Sequence, residues 1–270
     1  MTEKDEIKRV WDEAAESWAD FVRTGKDYFR SYLNNPAVFK LIGNVKGKRV
    51  LDLACGEGRN TRILAQKGAM VIGVDLAPAM IKLAEQKETV ERMGITYVAG
   101  DATELNDFND GSFDLVTCFM ALQDIEHLDK TVAEVFRVLK PNGRFIFSIP
   151  HPCFELILKN SQPIRAYTDY FENVRFEINW NMERLSKHFK SISFHRTLTD
   201  YSQALHKAGF QVSRLIEPKP THKALKEFPE HFTEHLKRPQ SIIIEARLLK
   251  MVRGRRVQED KNNTSKRKTK

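Results

Sequence analysis

The chain has 270 residues, of which 41% are hydrophobic, and this is enough to bury the core of one α/β domain. Its formal net charge is +8, but residues 251–270 hold eight basic and two acidic side chains, so the remainder is nearly neutral. No apolar run approaches the roughly 18 to 20 residues that cross a bilayer, and no secretory signal is present, so we expect a cytoplasmic protein. The three cysteines lack C-x-x-C spacing and indicate neither a disulfide framework nor a zinc site.

The N-terminal part, residues 1–45, is predicted to be a helical cover. Residues 5–22 place apolar side chains on one stripe of a helix, and residues 27–41 continue as a second helical segment. We expect both helices to lie over a cleft formed by the residues that follow. The candidates in this part for one wall of a substrate site are Trp18, Arg23, Phe29 and Arg30.

An apolar strand, a glycine turn and a helix follow one another in residues 50–61, which is typical of a nucleotide-binding loop. Gly56 and Gly58 permit a tight turn close to a ligand, and the free amides of the helix then face that ligand. The second strand ends in Asp75, seventeen residues beyond Gly58, where an acidic residue commonly binds the two ribose hydroxyls of an adenosine. The alternative for Asp75 is an N-cap of the next helix.

The loop favours S-adenosylmethionine over a dinucleotide. A dinucleotide loop requires G-x-G-x-x-G so that the helix amides hold a pyrophosphate, whereas this loop has Ala54, Gly56 and Gly58 at the corresponding positions. Asp52 lies directly ahead of them, where its charge would repel a pyrophosphate and attract an ammonium group. The alternative for Asp52 is a turn or capping acid.

Three further segments extend the pattern over residues 47–150. They read Y-V-A-G-D-A at 97–102, F-D-L-V-T-C at 113–118 and V-F-R-V-L-K-P-N-G at 135–143. In this order the segments resemble the class I S-adenosylmethionine-dependent methyltransferases. The later sequences H-P-C-F at 151–154, H-R-T-L-x-x-Y at 195–201 and G-F-x-V-x-x-L-x-E-P at 209–218 resemble, more narrowly, their small-molecule type 11 subgroup. The resemblance implies that Asp101 accepts a hydrogen bond from the adenine amine, with a plain acid at the strand end as the alternative. Asn142 replaces the first glycine of the family's turn, which is tolerated because Asn also adopts positive φ.

The resemblance implies an α/β, Rossmann-like fold with a seven-stranded, mostly parallel sheet and an antiparallel last strand. To this fold the sequence pattern adds a helical N-terminal cover and a lid inserted after strand five. We divide the chain accordingly into a cofactor-binding core at 46–150, an inserted lid at 151–200, the completion of the sheet at 201–250 and a basic, disordered tail at 251–270. The implied cofactor is S-adenosyl-L-methionine, with S-adenosyl-L-homocysteine as the product, and no metal is required. The predicted cofactor-binding residues are Asp52, Ala54, Gly56, Gly58, Asn60, Asp75, Leu76, Met80, Asp101, Ala102 and Phe119.

Residues 151–195 insert eight aromatic side chains directly after strand five. Because ligands bind beyond the carboxyl ends of parallel strands, we expect this segment to enclose a small, partly aromatic acceptor, with Phe154 among its contacts. His151 is the first candidate for a general base, since an unperturbed imidazole titrates at about pH 6.5. Its alternative is a structural residue of the turn that follows. His195 is a second candidate for catalysis, and Asp124 either orients the acceptor or caps the next helix.

These features predict methyl transfer to an oxygen, nitrogen or carbon atom of a small-molecule acceptor. Two other classes stay open: an RNA or protein methyltransferase that uses the basic tail, and a non-catalytic cofactor-binding scaffold. The core has no basic stripe and no Asn-Pro-Pro-Tyr-like motif for a planar nitrogen acceptor. Nucleic acid, reached through the tail, is therefore the less favoured partner.

Overall fold

The computed structural model of the protein describes residues 2–159, 162–165, 169–181 and 185–248. The helical elements are α1 (Glu3–Arg23), a π-helical turn (Arg30–Asn34), α2 (Asn35–Ile42), α3 (Arg59–Gln66), α4 (Pro78–Glu91), a 3-10 turn (Leu122–Asp124), α5 (Leu128–Val138), α6 (Leu198–Ala208), α7 (His222–Glu227), α8 (Pro229–Phe232) and a second 3-10 turn (Thr233–Leu236). The strands are β1 (Arg49–Leu53), β2 (Met70–Asp75), β3 (Thr96–Ala99), β4 (Phe113–Phe119), β5 (Leu139–Pro150), β6 (Leu156–Lys159), β7 (Gln162–Arg165), β8 (Arg175–Trp180), β9 (Phe189–Phe194), β10 (Phe210–Ile216) and β11 (Ser241–Leu248).

A seven-stranded sheet forms the centre of the fold, in the order β10, β11, β5, β4, β1, β2, β3. Strands β1 to β5 are parallel to one another, and β11 runs antiparallel to both β5 and β10. The predicted sheet is confirmed, including its antiparallel last strand. The chain leaves β1 toward β2 on one side and later returns to β4 on the other, so a crevice opens at the carboxyl ends of these strands.

Helices cover both faces of the sheet, which explains why its central strands are mostly apolar. On one face, Val135 of α5 and Leu205 of α6 pack over the strands in a large buried cluster. On the other face, Ile42 of α2 and Leu64 of α3 belong to a second cluster. Burial of this apolar surface fixes the sheet and thereby the positions of the loops at its carboxyl edge.

The N-terminal helix forms as predicted and starts at a capping box. The Thr2 hydroxyl accepts a hydrogen bond from the amide of Asp5, whose carboxylate accepts one from the amide of Thr2. The predicted apolar stripe of the helix is buried, including Ile7, Trp18 and Phe21. Its partners are α4 and the β8–β9 hairpin, so α1 joins the core to the inserted segment.

Two elements differ from the sequence prediction in detail. The expected continuous helix at 27–41 is instead a π-helical turn followed by α2, in which the amide of Asn35 donates to the carbonyl of Arg30. Pro36 supplies no amide hydrogen at this point, which interrupts the regular hydrogen-bond ladder. Strand β5 starts at Leu139, earlier than the predicted 144, and Asn142 has the expected positive φ, at 67°.

Two hairpins follow β5, namely β6–β7 and β8–β9. Of the eight aromatic residues predicted in this region, Tyr167 lies outside the described residues, as does the basic tail at 251–270. Among the described helices, none has the length and apolar character needed to span a membrane.

The two glycines of the loop after β1 predict a matched pair of substitutions. A Cβ atom on Gly58, at φ +82°, would lie 2.4 Å from the hydroxyl of the buried Tyr97, whereas one on Gly56, at φ +57°, would meet nothing within 4 Å. Gly56→Ala should lower the free energy of unfolding by about 1 to 2 kcal/mol, the cost of a left-handed side chain. Gly58→Ala adds steric overlap and should cost about 2 to 5 kcal/mol. Urea denaturation measures both, and equal losses would contradict the packing described.

Candidate active site

One cavity opens at the carboxyl ends of the parallel strands. Its floor is formed by the ends of β1, β2, β4 and β5 and by the residues after β3, and its cover by α1 and β8. Because β1, β2 and β3 lie on one side of the crevice and β4 and β5 on the other, the cavity has two halves. The first half contains the predicted cofactor residues that line the cavity, apart from Phe119 at the end of β4. The second half contains tryptophans, an arginine and further polar side chains.

Ten of the eleven predicted cofactor residues line this cavity, namely Asp52, Ala54, Gly56, Asn60, Asp75, Leu76, Met80, Asp101, Ala102 and Phe119. The exception is Gly58, which lies against Tyr97 behind the loop. Ala54 adopts φ 50°, the left-handed conformation for which a glycine would be the usual choice at this position. The loop therefore keeps its shape although its first glycine is replaced.

Asp75, at the end of β2, is hydrogen-bonded to the glycine loop. Its Oδ2 accepts a hydrogen bond of 2.8 Å from the amide of Gly56, and its Oδ1 accepts one of 2.9 Å from the amide of Ala77. The N-cap of α4 is Ala77, so capping by the Asp75 side chain does not account for its position. Each carboxylate oxygen can still accept a second donor, as binding of two ribose hydroxyls requires. Burial raises the pKa of Asp75 to about 6.

Asp52 lies beneath the loop and connects three elements. Its Oδ2 accepts from the Thr61 hydroxyl of α3 at 2.7 Å, and its Oδ1 accepts from the Thr117 hydroxyl of β4 at 2.8 Å. Only 1% of Asp52 is exposed, and burial raises its pKa to about 6 although both hydroxyls act in the opposite direction. Asp52 therefore supplies a negative potential to the cavity while it fixes the loop to the sheet.

Asp101 lies near the N-terminus of α1. Its Oδ1 accepts from the amide of Thr103 at 2.8 Å, and its Oδ2 pairs with the Lys4 ammonium at 3.1 Å. Partial burial acts to raise the pKa of Asp101, but these two partners hold it below its usual value. Lys4 also lines the cavity and was missed by the sequence analysis, because its contact with Asp101 depends on how α1 crosses the core.

The polar end of this half fits the amino-acid portion of S-adenosylmethionine. Arg59 lines the cavity, and its Nη1 is buried without a hydrogen-bond partner among the described residues, as is the Oδ1 of Asn35. A guanidinium donor suits a carboxylate, and an amide oxygen suits an ammonium group. Together with Asp75 and Asp101, these side chains provide complementary groups for each polar part of the cofactor.

The second half of the cavity, called the acceptor half after the predicted substrate wall, is bounded by Trp18 of α1 and by Ile178 and Trp180 of β8. The rings of the two tryptophans meet edge to face with centroids 5.0 Å apart. The Arg30 guanidinium lies 4.7 Å from the centre of the Trp18 ring and pairs with Asp27 at 3.1 Å. Trp18 and Arg30 therefore lie side by side on the wall of this cavity, and their role in substrate binding stays a prediction.

Three other predicted substrate residues point elsewhere. Arg23 pairs with the buried Glu57 of the glycine loop at 2.8 Å, and therefore supports the loop rather than a substrate wall. Phe29 packs edge to face on Phe232. Phe154 packs on His151, with ring centroids 4.9 Å apart. None of these three is among the cavity-lining residues.

His151 occupies a structural position in the turn after β5. Its Nδ1 accepts a hydrogen bond of 3.2 Å from the amide of Cys153, and its Nε2 lies 2.9 Å from the carboxylate of Glu217. The ring is 3% exposed and is not among the groups that line the cavity. The geometry favours the structural interpretation of His151 over the catalytic one.

His195 is also held by two partners. Its Nδ1 is hydrogen-bonded to Glu155, and its Nε2 lies 3.1 Å from the carbonyl oxygen of Tyr170. Burial opposes protonation, but these two acceptors raise the pKa of His195 above its ordinary value. Because both ring nitrogens are already hydrogen-bonded, neither is free to take a proton from a substrate, and the ring instead holds the end of β9 to the segment after β5.

Gln123 was missed by the prediction, and Asp124 was predicted only to orient the acceptor or to cap the next helix. Both line the cavity from the 3-10 turn after β4. The helix that follows has His127 as its N-cap and no side-chain cap, so Asp124 does not cap it. The signal available in the sequence was the position of an acid shortly after a parallel strand, which alone does not show where the side chain points.

Comparison with known proteins agrees with this geometry. Residues 51–147 match the sequence model of a family described as a methyltransferase domain. A demethylmenaquinone methyltransferase of Clavibacter sepedonicus is 29% identical over 234 residues, which cover 80% of this chain and 94% of that protein. A ubiquinone biosynthesis O-methyltransferase of Pseudomonas fluorescens is 32% identical over 105 residues, which cover 39% of this chain and 45% of that protein.

A solved structure shows the same likeness over most of the chain. The S-adenosylmethionine dependent methyltransferase from Mesorhizobium loti superposes with a TM-score of 0.65 at 28% identity, covering 78% of this chain and 96% of that one. This chain is a class I S-adenosylmethionine-dependent methyltransferase. The predicted fold, enzyme class and cofactor of the methyltransferase are thereby confirmed.

The contacts of Asp75 predict its contribution to cofactor affinity. Asp75→Ala removes two charge-assisted acceptors for the ribose and also releases the amide of Gly56. Affinity for S-adenosylhomocysteine should fall at least about tenfold, since hydrogen bonds to charged groups are worth about 1.5 to 3 kcal/mol each. Isothermal calorimetry gives the value, with Asp110→Ala, a change at an exposed acid, as the control. Wild-type affinity in the Asp75 variant would show that the ribose site has been assigned to the wrong residue.

Cofactor affinity should also depend on pH. The pKa of Asp75 is raised to about 6 before ligand binds, and hydroxyl donors favour its ionised form, so binding below that pH must displace a proton. Affinity for S-adenosylhomocysteine is therefore expected to be constant above about pH 7 and to fall by up to about tenfold per pH unit below 6. Calorimetry between pH 5 and pH 8 tests this, and Asp75→Asn should remove most of the dependence.

Proposed function

We propose that this methyltransferase methylates a small acceptor with a flat ring that carries an oxygen nucleophile. The strongest support is the pair of tryptophans, Trp18 and Trp180, which form a wall of the acceptor half of the cavity. This half lies next to the predicted cofactor residues. Their faces and edges offer a large apolar surface that suits a planar ring. The Ile178 side chain extends the same surface from the neighbouring part of β8.

The inserted segment and α1 together provide the cover that such an acceptor requires. Ser17 of α1 accepts a hydrogen bond of 2.9 Å from the amide of Lys187, which precedes β9. Trp11 and Phe189 meet edge to face, with centroids 5.6 Å apart, across the same contact. We infer that the β8–β9 hairpin acts as the lid expected from the sequence, because it is anchored on α1 and places Trp180 over the cavity.

The names of the relatives agree with this acceptor class. The Clavibacter sepedonicus protein is named for demethylmenaquinone and the Pseudomonas fluorescens protein for O-methyl transfer in ubiquinone biosynthesis. Both names refer to quinones, which contain a flat, oxygen-substituted ring, but only the second name gives oxygen as the methyl acceptor. The proposal transfers only this shared chemistry, a planar ring with an oxygen substituent, to the present chain. The ring substituents are left to experiment.

We assign distinct tasks to the two halves of the cavity. Asp75, Asp101 and Arg59 would hold the ribose, adenine and amino-acid parts of S-adenosylmethionine, which supplies an electrophilic methyl group when bound. Trp18 and Trp180 would align the acceptor ring and exclude water, so that its nucleophilic atom approaches the methyl carbon opposite the sulfur. Alignment of this kind is the main requirement of an in-line displacement.

Methyl transfer to a panel of phenols, catechols and hydroquinones, followed by mass spectrometry, tests the proposed acceptor class. Trp180→Leu should lower kcat/KM by about 5- to 100-fold, because it removes a ring contact and its buried area, while affinity for S-adenosylhomocysteine is retained. Phe171→Leu is the matched control, since Phe171 belongs to the same inserted segment and is 90% exposed. Turnover on RNA in preference to every ring acceptor would overturn the proposal.

A further inference from the structure

The segment after β4 lines the acceptor half of the cavity and has an unusual backbone. Met120 adopts φ 51°, a conformation that non-glycine residues rarely take, directly before the 3-10 turn at Leu122–Asp124. Such strain persists only where the surrounding structure holds it in place, and it is frequent at functional sites. Here the strained residue directs the next few side chains, including Gln123 and Asp124, toward the cavity.

Several hydrogen bonds fix this segment from outside. The amide of Met120 donates to the carbonyl of Ser148 in β5 at 2.9 Å. The guanidinium of Arg196, located after β9, donates to the carbonyls of Ile125 and Glu126 at 2.7 Å each. The segment is thus clamped between the sheet and the end of the inserted region, as a rigid site requires.

The carboxylate of Asp124 is oriented by its neighbour. Gln123 donates through Nε2 to the carbonyl of Met120 at 2.9 Å and to Oδ2 of Asp124 at 3.2 Å. Oδ1 of Asp124 is shielded from solvent, and no donor among the described residues forms a hydrogen bond to it within the usual geometry. The Ser193 hydroxyl is nevertheless close enough to favour the ionised form of the Asp124 carboxyl group. A buried carboxylate oxygen left unpaired is costly, and at a ligand cavity it indicates a place for a proton donor.

The charged surroundings of Asp124 suit a group that exchanges protons near neutrality. Burial raises the pKa of Asp124 to about 7, Arg30 and Arg196 act to lower it, and Glu155 acts to raise it. A general base is most effective when its pKa lies near the working pH. The nearby Cys118 and Tyr201 are buried groups whose pKa values are raised, so they stay neutral in this range.

We propose that Asp124 is the general base of the methyl transfer, with Gln123 as its positioning residue; this rests on the proposed ring acceptor. The hydroxyl proton of the acceptor passes to Oδ1 of Asp124, and an oxygen lone pair forms the new bond to the methyl carbon. The bond between that carbon and sulfur breaks, its electron pair stays on sulfur, and S-adenosylhomocysteine leaves as a neutral thioether. Neither His151 nor His195 is needed for this step, in agreement with their positions outside the cavity.

Kinetics on a ring acceptor test the role of Asp124 in turnover. In the wild type, kcat/KM should rise with pH through about 7 as Asp124 ionises. Asp124→Asn should lower it by about 10² to 10⁴ and abolish that rise, while affinity for S-adenosylhomocysteine and the melting temperature are kept. Asp129→Asn is the matched control, because Asp129 is an exposed acid on α5 that pairs with Lys207. Equal rates and equal pH profiles in wild type and Asp124→Asn would overturn the assignment.

A binding measurement tests the same residue without turnover. In the presence of S-adenosylhomocysteine at pH 7, the wild type should bind 4-cyanophenol at least about tenfold more tightly than benzonitrile, which lacks the hydroxyl. Asp124→Leu should reduce this preference to near unity, and Asp124→Asn should give an intermediate value if the leucine variant does not fold. An unchanged preference would overturn the role of Asp124. A wild type that neither methylates a ring acceptor nor binds 4-cyanophenol would instead overturn the acceptor class, and this assignment with it.

Discussion

Three carboxylates at the carboxyl edge of the sheet, one fully and two partly buried, are the constraint on which the rest of the site depends. Asp52, Asp75 and Asp124 each have a pKa raised to about 6 or 7, chiefly by burial. Their direct hydrogen-bond donors are neutral groups: threonine hydroxyls, backbone amides and the Gln123 amide. A lysine or arginine paired with these carboxylates would keep them ionised and would use their oxygens as its own acceptors. Neutral donors orient the carboxylates but leave their negative charge available to a ligand.

The N-terminal helix converts this edge into an enclosed site. Asp12 of α1 accepts from the amide of Ala79 at the start of α4, and Arg23 near its other end pairs with Glu57 of the glycine loop. The middle of the helix meets the β8–β9 hairpin through Ser17. One helix therefore contacts both the cofactor loops and the cover of the acceptor half.

Much of the fold and the cofactor half could be predicted from the sequence because the necessary signals are local. An acid that directly follows an apolar strand, such as Asp75, must lie at the carboxyl edge of a parallel sheet, whatever the rest of the chain does. The acceptor half depends on contacts between distant residues. His151 follows β5 just as Asp75 follows β2, yet Glu217, 66 residues away, holds its ring outside the cavity. Asp124 points inward because Met120 takes a strained conformation fixed by Ser148, which no local pattern reveals.

The charge balance of the proposed reaction explains why a buried acid near neutral pKa is suited to the acceptor half. Before transfer, the site would hold a positive sulfonium and the negative carboxylate of Asp124 in surroundings of low polarity, where isolated charges are poorly solvated. Transfer of the methyl group removes the charge on sulfur, and uptake of the acceptor's proton removes the charge on Asp124. Both charges therefore disappear in one step. The apolar walls formed by Trp18, Ile178 and Trp180 favour this loss of charge. The same walls that select a flat acceptor thus also assist the chemistry, and replacing them by polar groups would weaken both effects.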